Sequence, residues 1–121
     1  MILVDTSVWV DYLRGVCPSL SSLLERNQVV MHPLIIGELA CGNLKNRTQL
    51  LTLWRSLESL PTTSHEETLF FIEKNKLMGK GVGFIDVQLL AAVTISQNVK
   101  LWTRDKRLAK LAKQLGCHYT E

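Results

Sequence analysis

The chain has 121 residues, 46% apolar and 21% charged, which suits one compact domain over residues 1–121 with a core that needs no staples. Its net charge of +3 permits an anionic partner without requiring one. No apolar run approaches a membrane span, and Asp5 falls too early for a signal peptide, so the expectation is a cytoplasmic protein without a membrane role.

In chain order, Ile2-Leu3-Val4 is a short apolar run, as expected of a strand buried on both faces, and it ends at Asp5. Thr6 and Ser7 are placed to cap the helix that follows, and Gly15 to end it. A second helix is expected from Ser19 to Arg26, then a strand at Gln28-Val29-Val30-Met31. Pro33 opens a helix running to Cys41, with Gly42 as its stop. Leu50, Trp54 and Leu57 mark an amphipathic helix. Ser64-His65-Glu66-Glu67 has the capping-box pattern, which predicts a helix ending near Met78. Gly79, Gly81 and Gly83 form a loop. Phe84 to Gln97 is apolar nearly all round and is expected as an interior helix. Val99 to Thr103 reads as a strand, Asp105 to Leu115 as a helix ended by Gly116, and Cys117 to Thr120 as a last short strand. Strands separated by helices imply an α/β fold: a central parallel sheet flanked by helices on both faces, in three layers.

Ligands of such sheets bind beyond the carboxyl ends of the strands. Asp5 and Asp105 lie there, Asp86 follows the glycine loop, and Glu38 sits inside the apolar stretch Leu34 to Ala40. Taken singly, Asp105 is an N-cap, Asp86 a first-turn acid and Asp5 a turn residue. Glu38 has no such account, because its helix offers no strong polar face and a buried carboxylate needs a partner. Together the four acids repel one another unless a cation neutralises them. The donors are all oxygen, which selects Mg²⁺ or Mn²⁺. Asp5 would be the central ligand, with Asp86 and Asp105 completing the site directly or through water. Glu38 either binds the ion or takes a proton from an attacking water, so all four acids are expected to be catalytic. Ser7 and Thr103 are expected as hydroxyls that orient carboxylates.

The other chemistry-bearing residues read more plainly. Cys17, Cys41 and Cys117 form no CxxC pair and are expected as small buried hydrophobes, which argues against disulfides and thiolate metal sites. His32, His65 and His118 are scattered and are expected to be structural or on the surface. Lys106, Lys110 and Lys113 share one face of the last long helix, opposite Leu108, Leu111, Ala112 and Leu115. Arg104 and Arg107 lie nearby, and the stripe begins beside a proposed catalytic acid, so Arg104 and the three lysines are candidates for phosphate contacts, as are Lys76 and Lys80, which flank the glycine loop.

The stretch Leu3-Val4-Asp5-Thr6-Ser7-Val8-Trp9 resembles the opening signature of PIN-domain nucleases. Ile35-Ile36-Gly37-Glu38-Leu39 is similar to their glutamate helix, Phe84-Ile85-Asp86 through Ala92 to their third motif, and Leu101-Trp102-Thr103-Arg104-Asp105 to their fourth. The small size resembles the VapC-type toxins of toxin–antitoxin pairs. The resemblance spans essentially the whole chain and all four acidic positions are present. It implies Mg²⁺- or Mn²⁺-dependent endoribonuclease activity, a homodimer and inhibition by a cognate antitoxin. Two rivals remain. A receiver-like phosphoacceptor domain also carries acids at strand ends, but it commonly has adjacent acids where this chain has Asp5-Thr6. An inactive nucleic-acid-binding scaffold of the same fold is the other.

Overall fold

A computed structural model describes all residues, 1–121. Three strands, β1 (Ile2–Val4), β2 (Val29–Val30) and β3 (Lys100–Trp102), form a parallel sheet in the order β2-β1-β3. Seven helices surround it: α1 (Thr6–Leu13), α2 (Ser19–Glu25), α3 (Pro33–Ala40), α4 (Arg47–Ser56), α5 (His65–Asn75), α6 (Phe84–Ile95) and α7 (Lys106–Gln114). This is the expected α/β architecture. The central strand is β1, and the chain fills the sheet first on one side of it and later on the other. That reversal opens a crevice at the carboxyl end of β1.

The core explains why the elements pack as they do. Leu3, Val4, Val30 and Leu101 are fully buried within the sheet. Trp9 of α1 and Trp54 of α4 are fully buried too, and meet edge to face with ring centroids 5.7 Å apart. Such a pair contributes about 0.5–1.5 kcal/mol beyond its area. α7 turns Leu108, Leu111 and Ala112 inward and leaves Lys106, Lys110 and Lys113 in water, as its periodicity requires.

Several boundaries differ from expectation. Asp5, not Thr6 or Ser7, caps α1: its Oδ1 accepts from the Thr6 N–H at 2.8 Å. The capping box at Ser64 and Glu67 forms as expected, but α5 stops at Asn75, because Lys76 takes a left-handed conformation with φ 53°. The run Phe84–Gln97 yields a helix two residues shorter and not apolar all round in its setting. Val87 and Leu89 to Val93 are buried, while Phe84, Ile85 and Ile95 are exposed. Val99 and Thr103 flank β3 rather than joining it. Cys117–Thr120 forms no strand, only a bridge between His118 and Leu101. Cys17 and Cys117 are buried as expected, but Cys41 is exposed. His32 is structural in a definite way. It is buried, and its Nδ1 accepts from the Leu34 N–H at 3.1 Å, capping α3.

Candidate active site

Asp5 is the anchor of the crevice. It follows β1 directly and is only 6% exposed, so its charge must be satisfied locally. Its Oδ1 takes the Thr6 N–H, and its Oδ2 takes the Thr103 hydroxyl at 2.7 Å and the Ser7 hydroxyl at 3.2 Å. Each hydroxyl in turn accepts a backbone N–H from the loop after β3: Thr103 from Asp105 at 3.1 Å, Ser7 from Arg104 at 3.0 Å. Two hydroxyls thus fasten the end of β3 to the end of β1, with the Asp5 carboxylate at the junction. Both hydroxyls donate to Asp5.

The remaining acids stand around this anchor in wetter surroundings. Glu38 is exposed, contrary to the burial expected from its apolar helix. The reason is geometric: α3 buries Ile35 and Leu39, one turn apart, and that register turns Gly37 and Glu38 outward. Glu38 Oε1 accepts the Thr6 hydroxyl at 2.8 Å. Thr6 therefore orients a proposed catalytic acid, a role that its expected place as a helix cap does not reveal. Its position, one residue past the strand-end acid, is the signal for it in the sequence.

Asp86 is half-buried in the first turn of α6 and accepts weakly from the Gly83 N–H at 3.4 Å. Burial pushes its pKa up, and the charges of Asp5, Asp105 and Glu38 push it further, against the lowering effect of the Gly83 bond. All four acids thus share one electrostatic neighbourhood. Asp105 is exposed and caps α7, its Oδ1 accepting from the Arg107 N–H at 2.9 Å and the Leu108 N–H at 3.1 Å. The cap reading and the site reading hold for the same residue, because Oδ2 makes no hydrogen bond.

Two features make this donor set fit a hard cation. Glu38, Asp86 and Asp105 each give one oxygen to a protein donor and keep the other free. No lysine or arginine pairs with any of the four acids; both ion pairs of the protein belong to Arg104. No three acids converge closely enough to hold an ion directly. An ion at this site would therefore reach part of the set through water.

The expected phosphate contacts divide into two groups. Lys80, Lys106, Lys110 and Lys113 are exposed and free of ion pairs. Arg104 is committed elsewhere: it pairs with Asp11 at 3.2 Å and with Glu121, and stacks over the Trp102 ring at 5.7 Å. Arg107 lies across the glycine loop, where a Cβ at Gly81 would stand 2.7 Å from its Cδ. This close approach, with φ 82° at Gly81, is why the loop needs glycine there.

Comparison with known proteins bears on the family and the fold. The PIN domain family model matches residues 2–114. Ribonuclease VapC32 from Mycobacterium tuberculosis is 40% identical over 121 residues, covering 100% of this chain and 98% of that protein, in both strain CDC 1551 / Oshkosh and strain H37Rv. The crystal structure of PAE2754 from Pyrobaculum aerophilum superposes with a TM-score of 0.59 at 18% identity, over 95% of this chain and 94% of that one, and so shares the fold. The chain belongs to the PIN-domain family, and within it to the VapC-type ribonucleases.

Proposed function

We propose that this chain is a Mg²⁺- or Mn²⁺-dependent endoribonuclease, one domain over residues 1–121, acting in the cytoplasm as the toxin of a toxin–antitoxin pair. The observation that carries the reading is the set of four mutually repelling carboxylates with no cationic partner at the end of β1. Membership in the PIN family removes the ground for a phosphoacceptor domain. It leaves the inactive scaffold to be decided by assay.

The residues divide the work of cleavage among them. Asp5, fixed by Ser7 and Thr103, would be the central ligand of a bound ion, and Asp86 and Asp105 would complete the set through their free oxygens, directly or through water. When bound, the ion supplies an activated water and stabilises the charge that grows on the phosphate during in-line displacement. Glu38, steered by Thr6, keeps Oε2 free and would be the group to accept a proton from an attacking water. Lys80 and the α7 stripe hold the RNA backbone, while Arg104 fastens the loop that carries Asp105. A protein antitoxin would present an arginine or lysine to the acids in place of the cation. Exposed apolar side chains on α5 and α6, among them Phe70, Phe84 and Ile85, favour a homodimer that covers part of them.

The test is incubation of purified protein with labelled RNA, with and without Mg²⁺ or Mn²⁺, beside Asp5→Asn. Cleavage that needs the metal and vanishes in the variant is expected. Full activity of Asp5→Asn overturns the site assignment, and no cleavage by the wild-type protein with either metal favours the scaffold.

A further inference from the structure

We infer that the cavity between α1 and the α3–α4 connection receives an unpaired nucleobase of the RNA strand, that of a nucleotide next to the scissile phosphate. This rests on the ribonuclease reading and names how the same site selects its substrate. The cavity, about 670 Å³, shares Thr6 and Glu38 with the acid cluster, so a strand whose phosphate lies at the acids passes its mouth. That volume falls in the range of small-molecule pockets.

Its walls carry the three kinds of contact a nucleotide needs. Val10, Leu13, Leu39, Leu44 and Leu50 supply apolar surface. Asn43 and Asn46 supply carboxamides, each with a donor and an acceptor, and neither side chain is engaged in any hydrogen bond within the protein. Arg14 and Lys45 supply positive charge and stand free of ion pairs. The wall is built rather than incidental. Arg47 reaches back from α4 to the carbonyls of Ala40 at 2.8 Å and Gly42 at 3.2 Å, which holds the connecting loop in place. An apolar peptide segment would cover the leucines but leave two amides and two cations without partners. An unpaired base with its phosphate satisfies all three. No aromatic side chain lines the cavity, so the base would be read by hydrogen bonds along its edge and not by stacking.

The experiment sequences the ends produced when the full chain cleaves a randomised RNA pool, comparing wild type, Asn43→Ala with Asn46→Gly, and Arg14→Gln with Lys45→Gln. Glycine at position 46 keeps the left-handed backbone, φ 55°. Wild type should prefer particular bases at one position beside the cut. The asparagine variant should lose at least tenfold of that discrimination. The Arg14/Lys45 variant should keep the preference and raise KM severalfold. Unchanged preference in the asparagine variant, or no preference in wild type, overturns the inference. A separate reading needs no catalysis: nucleoside 5′-monophosphates titrated in EDTA should shift the NMR signals of the Asn43 and Asn46 side-chain amides, and no shift overturns it. The two readings separate the failures, because absent cleavage alongside shifted amides faults the ribonuclease reading alone. Variants that keep the cleavage profile but escape a protein inhibitor would make this a protein-docking groove, which also overturns it.

Discussion

The two halves of the acid cluster are held in opposite ways. Asp5 is buried, and both its oxygens are occupied by donors from its own helix and from the loop after β3. Glu38, Asp86 and Asp105 are exposed or half-buried, and each keeps an oxygen free. The difference separates two jobs that one residue type performs. A carboxylate hydrogen-bonded at both oxygens tolerates burial and sets geometry, and Asp5 Oδ1, with a single donor, keeps one lone pair for an ion. A carboxylate with one oxygen wholly free has more interaction left to give to an ion, a water or a substrate. The fold therefore uses both oxygens of Asp5 and only one oxygen of each of the other three acids.

Breaking each half should show this as a crossing of effects. Thr103→Val removes a buried hydroxyl that serves both Asp5 and the Asp105 N–H, so unfolding stability should fall by about 1–3 kcal/mol. Activity should drop by about 10–100-fold, the range for residues that orient ligands, since all four acids remain. Glu38→Gln sits on an exposed helix face and should change stability by no more than about 0.5 kcal/mol. Its activity should fall by about 100-fold or more, as expected for a missing proton acceptor. Denaturant unfolding and initial cleavage rates of the two variants check the crossing. Equal stability losses would mean that the halves are not held differently.

A smaller effect sharpens the contrast at Asp86. Burial and then the charge of Asp5 raise its pKa, so folding makes this carboxyl harder to ionise. The sign follows from linkage: stability from this group is present below the unfolded carboxylate range and is lost as pH rises through the higher folded value. At neutral pH in EDTA, the wild type carries this penalty. Asp86→Asn does not, and it can still accept the Gly83 N–H. The variant should melt higher in chelator, and the gap should close as pH falls through the carboxylate range. Mg²⁺ at a hundredfold excess over its dissociation constant should stabilise wild type by about 2.7 kcal/mol and the variant by less. A lower melting temperature in chelator, with an equal Mg²⁺ response, would leave Asp86 as a helix-terminus acid.

Which parts of this are legible in the sequence follows from range. Alternation of apolar runs with helical periods is local, so the parallel sheet and the acids at its strand ends can be read directly. Burial is not local. Glu38 lies in an apolar stretch, yet only Ile35 and Leu39 of α3 reach the core, and nothing in the periodicity of eight residues decides which face that is. Lys76 ends α5 in a conformation for which glycine or asparagine is the usual signal, so the sequence pattern carries the helix too far. Arg104 has the pattern of a free cation because its partners, Asp11 and Glu121, are distant in the chain. The Asn43–Asn46 wall exists only once α1 and α4 pack around it.

The smallest expected effect concerns the basic residues beside the acids, where the same contrast between engaged and free groups recurs. Lys106, Lys110 and Lys113 are exposed and unpaired on α7, whereas Arg104 is held by two carboxylates and an indole ring. A free cation that meets an RNA phosphate releases condensed counterions, and a cation already neutralised by protein carboxylates has less charge to offer. Replacing the three lysines together by Gln should therefore weaken RNA binding and flatten its salt dependence. On single-stranded RNA the log–log slope should shrink by about 0.7 for each phosphate that is no longer neutralised. Arg104→Gln should leave the slope unchanged while lowering stability, because it frees Asp11 and Glu121 and loosens the loop that carries Asp105. Its cost stays modest, since the pairs are partly exposed. Binding of a labelled oligonucleotide across a salt series measures both effects without cleavage, when each substitution is made in Asp5→Asn protein. An unchanged slope in the lysine variant would make the α7 stripe an ordinary solvated face. A slope that flattens in Arg104→Gln would return Arg104 to the RNA path, and its ion pairs would then be ones that RNA displaces.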